Sequence, residues 1–270
     1  MNNKMNQKVI RKKKKTNNSF KSFLIALLIF SLFLGSYFVY DYFFKAEYEV
    51  PTVAKLKDKK EDINYSDKDD YTYEPQSTYV NELPSVRQQY NNQNIVARLQ
   101  IPGLDIDTYV ARTTNNDYYL NHSVYNTYDE VGYPFADYRN RDLNTARQIN
   151  IYGHNSQDKN LASRLELINL RAYLDKNFFD NYKYMYLSLD EGYYQYRVEA
   201  VKVVTASDPE HMKVIFYGND DYIQHAQKLY QNTIYRRDDT TITVNDKLLV
   251  LQICNYNPKN SYLLIIGKQT

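Results

Sequence analysis

The chain alternates short apolar runs with polar punctuation, and the spacing inside each run predicts an element. Two runs near the carboxy terminus are almost unbroken. Residues 248–253, LLVLQI, have the pattern of a strand buried on both faces, and residues 262–266, YLLII, return as a second strand after the polar loop 255–260. Upstream, Ile95–Ile101 reads as a strand ended by the turn dipeptide Pro102-Gly103. Ile106–Ala111 continues in alternation, with Ile106, Thr108 and Val110 on one face. Residues 131–137, VGYPFAD, predict a short strand with an aromatic face, and residues 148–152 a further strand that runs straight into Gly153-His154-Asn155. Tyr184–Leu189 and residues 193–205 predict a hairpin joined through Asp190-Glu191-Gly192.

Helical spacing is sparser. Val80, Leu83, Val86 and Tyr90 predict a short helix over residues 79–90. Leu161, Leu165, Ile168 and Ala172 predict an amphipathic helix over residues 160–173. Asn219 is placed to cap a helix over residues 220–235, whose first turn carries the acids that a helix dipole prefers. Residues 241–244 lead through Asn245-Asp246 into the late apolar strand. The sum is a mainly β domain over residues 79–270 with inserted helices, a pattern that predicts a closed or nearly closed β-barrel.

A different pattern opens the chain. Residues 22–40, SFLIALLIFSLFLGSYFVY, carry no formal charge, and about 20 apolar residues suffice for a helix to cross a bilayer. Lys12–Lys15 lie just before this run, so the amino terminus is expected in the cytoplasm and the rest of the chain outside the cell. The following YDYFFKAEYEV offers no small-x-small cleavage site, which favours an uncleaved anchor over a signal peptide. The predicted organisation is a basic cytoplasmic tail (1–21), a single-pass anchor (22–44), a solvated stalk rich in Lys, Asp, Glu, Tyr and Ser (45–78), and the barrel domain (79–270).

Charge sharpens that picture. The net charge is +2, but residues 1–21 hold eight Lys or Arg and no acid, so the remainder carries −6. The basic charge therefore belongs to a tail, which argues against a nucleic-acid-binding surface. Thirty tyrosines, no tryptophan and only seven glycines fit an aromatic-rich, strand-forming domain.

The chain has one cysteine, Cys254, at the end of the apolar run 248–253. An external domain with one cysteine forms no internal disulfide, so the thiol is either a small core hydrophobe or a working group. A cysteine nucleophile needs a proton acceptor, most often histidine. Of four histidines, His154 alone follows an apolar strand and a glycine, which puts it at a strand end as Cys254 is. His122 and His225 read as surface residues, and His211 lies in the polar loop 208–213. One cysteine and scattered histidines give no metal-ligand spacing, no glycine-rich phosphate loop appears, and no cofactor is expected.

With His154 and Cys254 the chain resembles the sortases, membrane-anchored cysteine transpeptidases of Gram-positive bacteria, and most of all class B. The resemblance covers roughly residues 94–268. It rests on NIVARLQIPGLDID, DEVGYPFADYRN, IYGHN around His154, the pair Phe178-Phe179, the late helix, and the paired strands LLVLQIC and YLLIIGK. It implies a closed eight-stranded sortase-type barrel behind a transmembrane helix. It also implies that Cys254 forms a thioester with the C-terminal sorting signal of a secreted surface protein or pilin. His154 would serve as proton donor and acceptor, and a peptidoglycan precursor or a pilin lysine would supply the accepting amine. Two features depart from the family pattern. The usual Thr-Leu-x-Thr-Cys reads Val250-Leu251-Gln252-Ile253-Cys254, and the arginine expected at the start of the last strand is missing, with no arginine after Cys254. Tyr262, which takes that place in the alignment, or Lys259 in the loop is then the candidate donor. Without the arginine, a sortase-like domain that binds or positions its partners without catalysis is the alternative.

Overall fold

A computed structural model describes residues 79–270. The predicted tail (1–21), anchor (22–44) and stalk (45–78) lie outside the described residues. Among the described residues no helix is long and apolar enough to cross a membrane.

The strands are β1 (Ile95–Ile101), β2 (Ile106–Ala111), β3 (Phe135–Ala136), β4 (Gln148–Gly153), β5 (Tyr184–Leu189), β6 (Gly192–Thr205), β7 (Tyr235–Arg236), β8 (Leu248–Asn255) and β9 (Ser261–Gln269). Eight of them form a ring in the order β5-β1-β2-β3-β4-β8-β9-β6, closed by the antiparallel β5–β6 hairpin. The short β7 adds to β6 beyond the end of β5. Most pairs are antiparallel, but β4 and β8 run parallel over six register pairs, from Gln148↔Leu248 to Gly153↔Ile253. This is the closed barrel that the strand pattern predicts, with the eight strands that the resemblance implies.

The unbroken apolar run in β8 has a physical reason. Leu249, Leu251 and Ile253 join Leu99, Val110, Ile151, Leu187, Val201 and Ile265 in the core enclosed by the ring. Leu248 and Val250 point the other way and pack with Leu264 and Ile266 of β9 beneath helix α4 (Asn219–Leu229), which contributes Tyr222, Ala226 and Leu229. Both faces are dry, so the strand cannot alternate apolar with polar. Cys254 and Gln252 belong by alternation to the outer, α4-facing side of β8.

Helix α1 (Leu83–Gln89) forms within the predicted stretch and buries Leu83 and Val86. Other elements differ from expectation. The strand expected over 131–137 is reduced to β3, because Gly132 sits in a turn at φ +61° and its N–H bonds Asp129 O. The helix expected over 160–173 is broken into α2 (Lys159–Ala162), capped by Asp158, and a 3-10 turn over Ile168–Leu174, before α3 (Lys176–Asn181). Its apolar residues serve two clusters rather than one stripe. Leu161, Ala162, Leu165 and Ile168 pack with Val131, whereas Leu167, Leu170, Ala172 and Tyr173 enter the barrel core. In α4, Gly218 rather than Asn219 is the cap residue, and the helix ends at Leu229, short of the predicted Tyr235, which belongs to β7.

Candidate active site

Parallel pairing of β4 and β8 brings the two candidate residues to one end of the barrel. The last register pair is Gly153↔Ile253, so His154 and Cys254 are the next residues along the two neighbouring strands. On the other side of β8, Cys254 pairs directly with Tyr262 of β9. Directly opposed residues of an antiparallel pair share a face with Cβ atoms about 4.5–5.5 Å apart, so the Tyr262 side chain leaves the sheet beside the thiol.

Hydrogen bonds tie the segment after β4 to the nucleophile. Asn155 Nδ2 donates to Cys254 O at 2.7 Å, and Tyr256 Oη donates to Asn155 O at 2.7 Å. Asn155 is buried, and its Oδ1 has no hydrogen-bond partner among the described residues. His154 Nε2 lies 2.8 Å from Leu120 O. Cys254 is half-buried, and that burial pushes its thiol above the ordinary value of 9.0, with a backbone hydrogen bond opposing. Cys254 at rest is therefore a protonated thiol, which would need a base to act as a nucleophile. The Tyr256 phenol is likewise raised, first by burial and then by the neighbouring Cys254, against the pull of Arg171.

The remaining histidines fall differently from expectation. His211 comes from the predicted polar loop but is 3% exposed. Its Nδ1 lies 3.1 Å from Gln252 Oε1, and its ring lies 4.8 Å from that of Tyr262. The 3-10 turn that carries it, Pro209–Met212, is held on β4 by Asn150 Nδ2 to His211 O at 3.1 Å and Gln148 Nε2 to Lys213 O at 2.9 Å. The sequence signal for this contact is Gln252, the one polar residue inside the apolar run. His225 corrects a surface assignment. It is 1% exposed, with Nδ1 2.9 Å from Glu210 Oε2 and Nε2 3.0 Å from Gln148 Oε1. The polar residues of β4 provide the partner that lets this histidine lie inside. His122 is half-buried and stacks on Tyr118 with ring centroids 4.0 Å apart.

Neither arginine before the nucleophile strand serves the site. Arg237 donates to Val198 O and Phe179 O, both at 2.7 Å, and Arg236 reaches Tyr230 O at 3.5 Å. Lys259 is exposed and makes no hydrogen bond or ion pair among the described residues. The Tyr262 hydroxyl also makes no hydrogen bond among the described residues, and its position opposite Cys254 makes it the better placed donor.

A closed barrel that carries a cysteine and a histidine at the ends of adjacent parallel strands defines a sortase-type framework. The comparisons with known proteins agree. No family model matches the chain. Sortase B of Listeria monocytogenes is 30% identical over 165 residues, which cover 61% of this chain and 64% of that protein. The chain thus spans just under two thirds of the curated relative it matches. The solved sortase B from Listeria monocytogenes superposes with a TM-score of 0.59 at 27% identity, covering 69% of this chain and 99% of that one. A Staphylococcus aureus sortase B–substrate complex shares the fold, with a TM-score of 0.59 at 23% identity over 70% of this chain and 89% of that one. The chain is sortase-like, of the class B type, in both sequence and fold.

Proposed function

We propose that this protein is a cysteine transpeptidase that cleaves a C-terminal sorting signal of secreted proteins and passes the acyl group to a cell-wall or pilin amine. The observation that carries the reading is the convergence of His154, Cys254 and Tyr262 at one end of the barrel through the β4–β8 and β8–β9 registers. Cys254 Sγ attacks a backbone carbonyl of the sorting signal while His154 takes the thiol proton. Tyr262 donates to the developing oxyanion. Collapse of the tetrahedral species expels the amine, which leaves with the proton from His154, and a thioester remains on Cys254. An incoming amine then attacks the thioester, gives its proton to His154 and restores the thiol. The substrate complex of Staphylococcus aureus sortase B supports a substrate site on this framework. The apolar run 22–40 behind its basic tail supports a membrane-anchored enzyme whose barrel faces the cell exterior.

The test is transfer. Full-length protein incubated with sorting-signal peptides and hydroxylamine is expected to yield a peptide hydroxamate that requires Cys254 and His154. The second reading, a binding or scaffolding domain without catalysis, is favoured by a neutral Tyr262 where the family pattern has an arginine. It predicts saturable peptide binding with no hydroxamate.

A further inference from the structure

The loop 112–134 between β2 and β3 is fixed in place along its length. Asn115 Oδ1 accepts from the N–H groups of Asp117 and Tyr118, both at 2.9 Å, and a 3-10 turn over Tyr118–Leu120 follows. Tyr119 is 1% exposed, and its Oη is surrounded by Asn92, Asn94 and Asn126. On either side of Leu120 the backbone carbonyls are occupied: Tyr119 O accepts from Tyr133 N, and Asn121 O accepts from Asp129 N, each at 2.9 Å. Leu120 O instead meets His154 Nε2 at 2.8 Å.

That approach depends on the absence of a side chain at Gly132. A Cβ there would lie 2.4 Å from Tyr119 O, 2.7 Å from Leu120 O and 2.9 Å from Leu120 C, all backbone atoms that cannot swing aside. The φ of +61° is also one that side chains rarely adopt. A backbone carbonyl only accepts, so the nitrogen facing it must carry the proton. His154 Nε2 is thereby committed as a donor, and the neutral ring keeps its lone pair on Nδ1.

Building on the transpeptidase reading, we infer that loop 112–134 is the positioning device for His154. Its Leu120 carbonyl, admitted by Gly132, fixes the Nε2–H tautomer and leaves Nδ1 as the nitrogen that exchanges protons. As Cys254 Sγ attacks, Nδ1 takes the thiol proton, and the imidazolium carries a proton on each nitrogen. Leu120 O goes on accepting from Nε2–H in a charge-assisted bond, while Nδ1–H is delivered to the departing amine. Leu120 and Gly132 are positioning residues, and they act without touching substrate.

Ring nitrogen spectra of full-length, 15N-histidine-labelled protein test this at a pH of about 8.5, where neutral imidazoles are expected. His154, assigned by its disappearance in His154→Gln, is expected as the Nε2–H tautomer. Gly132→Ala is expected to lose that signature and to slow Cys254 acylation by about 100-fold, the order of loss that a 1 Å misplacement produces. The signals of His211 and His225, buried against Gln252 and Gln148, report whether that variant is folded. Should Gly132→Ala fail to fold, replacing the Leu120–Asn121 amide by an ester weakens the same acceptor, and the Nε2–H preference should fall. A wild-type His154 in the Nδ1–H form would overturn the inference, as would a folded Gly132→Ala variant with the wild-type signature and rate. The tautomer is read without substrate, so it stands or falls separately from catalysis.

Discussion

Asn155 joins the histidine segment to the nucleophile, and its removal has a calculable consequence. Its Nδ2 satisfies Cys254 O at 2.7 Å in a buried setting. Truncation to alanine removes one hydrogen bond worth about 0.5–1.5 kcal/mol and leaves a buried carbonyl short of a partner, at a cost of about 1–3 kcal/mol. The same change deletes an Oδ1 that has no partner, which offsets part of that cost. The net loss is then about 1–2 kcal/mol. At a urea slope of about 1–3 kcal/mol/M, the unfolding midpoint should fall by roughly 0.3–2 M. Asn155→Asp is nearly isosteric but places an acceptor against the Cys254 carbonyl and a negative charge beside the thiol. It should be the more damaging change, by about 2–4 kcal/mol. Both variants should also slow acylation of Cys254 at low denaturant, where each remains folded, because the carbonyl fixes where Sγ points. Equilibrium urea unfolding and single-turnover acylation measure the two effects. An Asn155→Asp protein with the wild-type midpoint and rate would refute the reasoning.

Three further outcomes follow from the same geometry. Tyr262→Phe should reduce acylation by about 100-fold if the phenol is the oxyanion donor, whereas Lys259→Ala should stay near the wild-type rate; the reverse order would assign the donor to the loop. Alkylation of Cys254 by iodoacetamide should show a pH midpoint above the ordinary thiol value of 9.0, since burial disfavours the thiolate, and a midpoint well below 9 would contradict a protonated resting thiol. His211 and His225 both lie below the ordinary imidazole value of 6.5, with burial the larger cause in each, while Gln252 and Glu210 oppose it. The unfolded chain therefore takes up protons first as pH falls, so the stability from these residues is complete above about pH 7 and lost as pH drops through 6.5. Urea midpoints at pH 8 and 5.5 should differ in that direction, less so in His211→Phe, and a higher midpoint at the lower pH would reverse the sign.

The sequence disclosed the parts of the site that lie on strands. The run 248–253 is apolar on both faces because the barrel core and α4 cover it, and Gly153 marks where β4 ends and His154 begins. Parallel pairing then brings two strand ends together although they are one hundred residues apart in the chain. What stayed hidden depended on long-range partners. The burial of His225 requires Gln148, 77 positions away, and that of His211 requires Gln252, 41 positions away. The periodicity over 160–173 was shared by two clusters, so an apparent single stripe does not form one helix. The acceptor facing His154 is a backbone carbonyl, and a carbonyl has no signature in sequence. Gly132 is its only trace.

The most direct test of the transpeptidase account is the mass of the protein after exposure to peptide. Full-length protein is incubated with a panel of sorting-signal peptides without added amine and analysed intact. The account predicts a covalent increment equal to the acyl portion of one peptide, carried on Cys254, absent from Cys254→Ala and strongly reduced in His154→Ala. A folded protein that binds these peptides yet never gains that increment would contradict it and leave a sortase-like binding domain in its place.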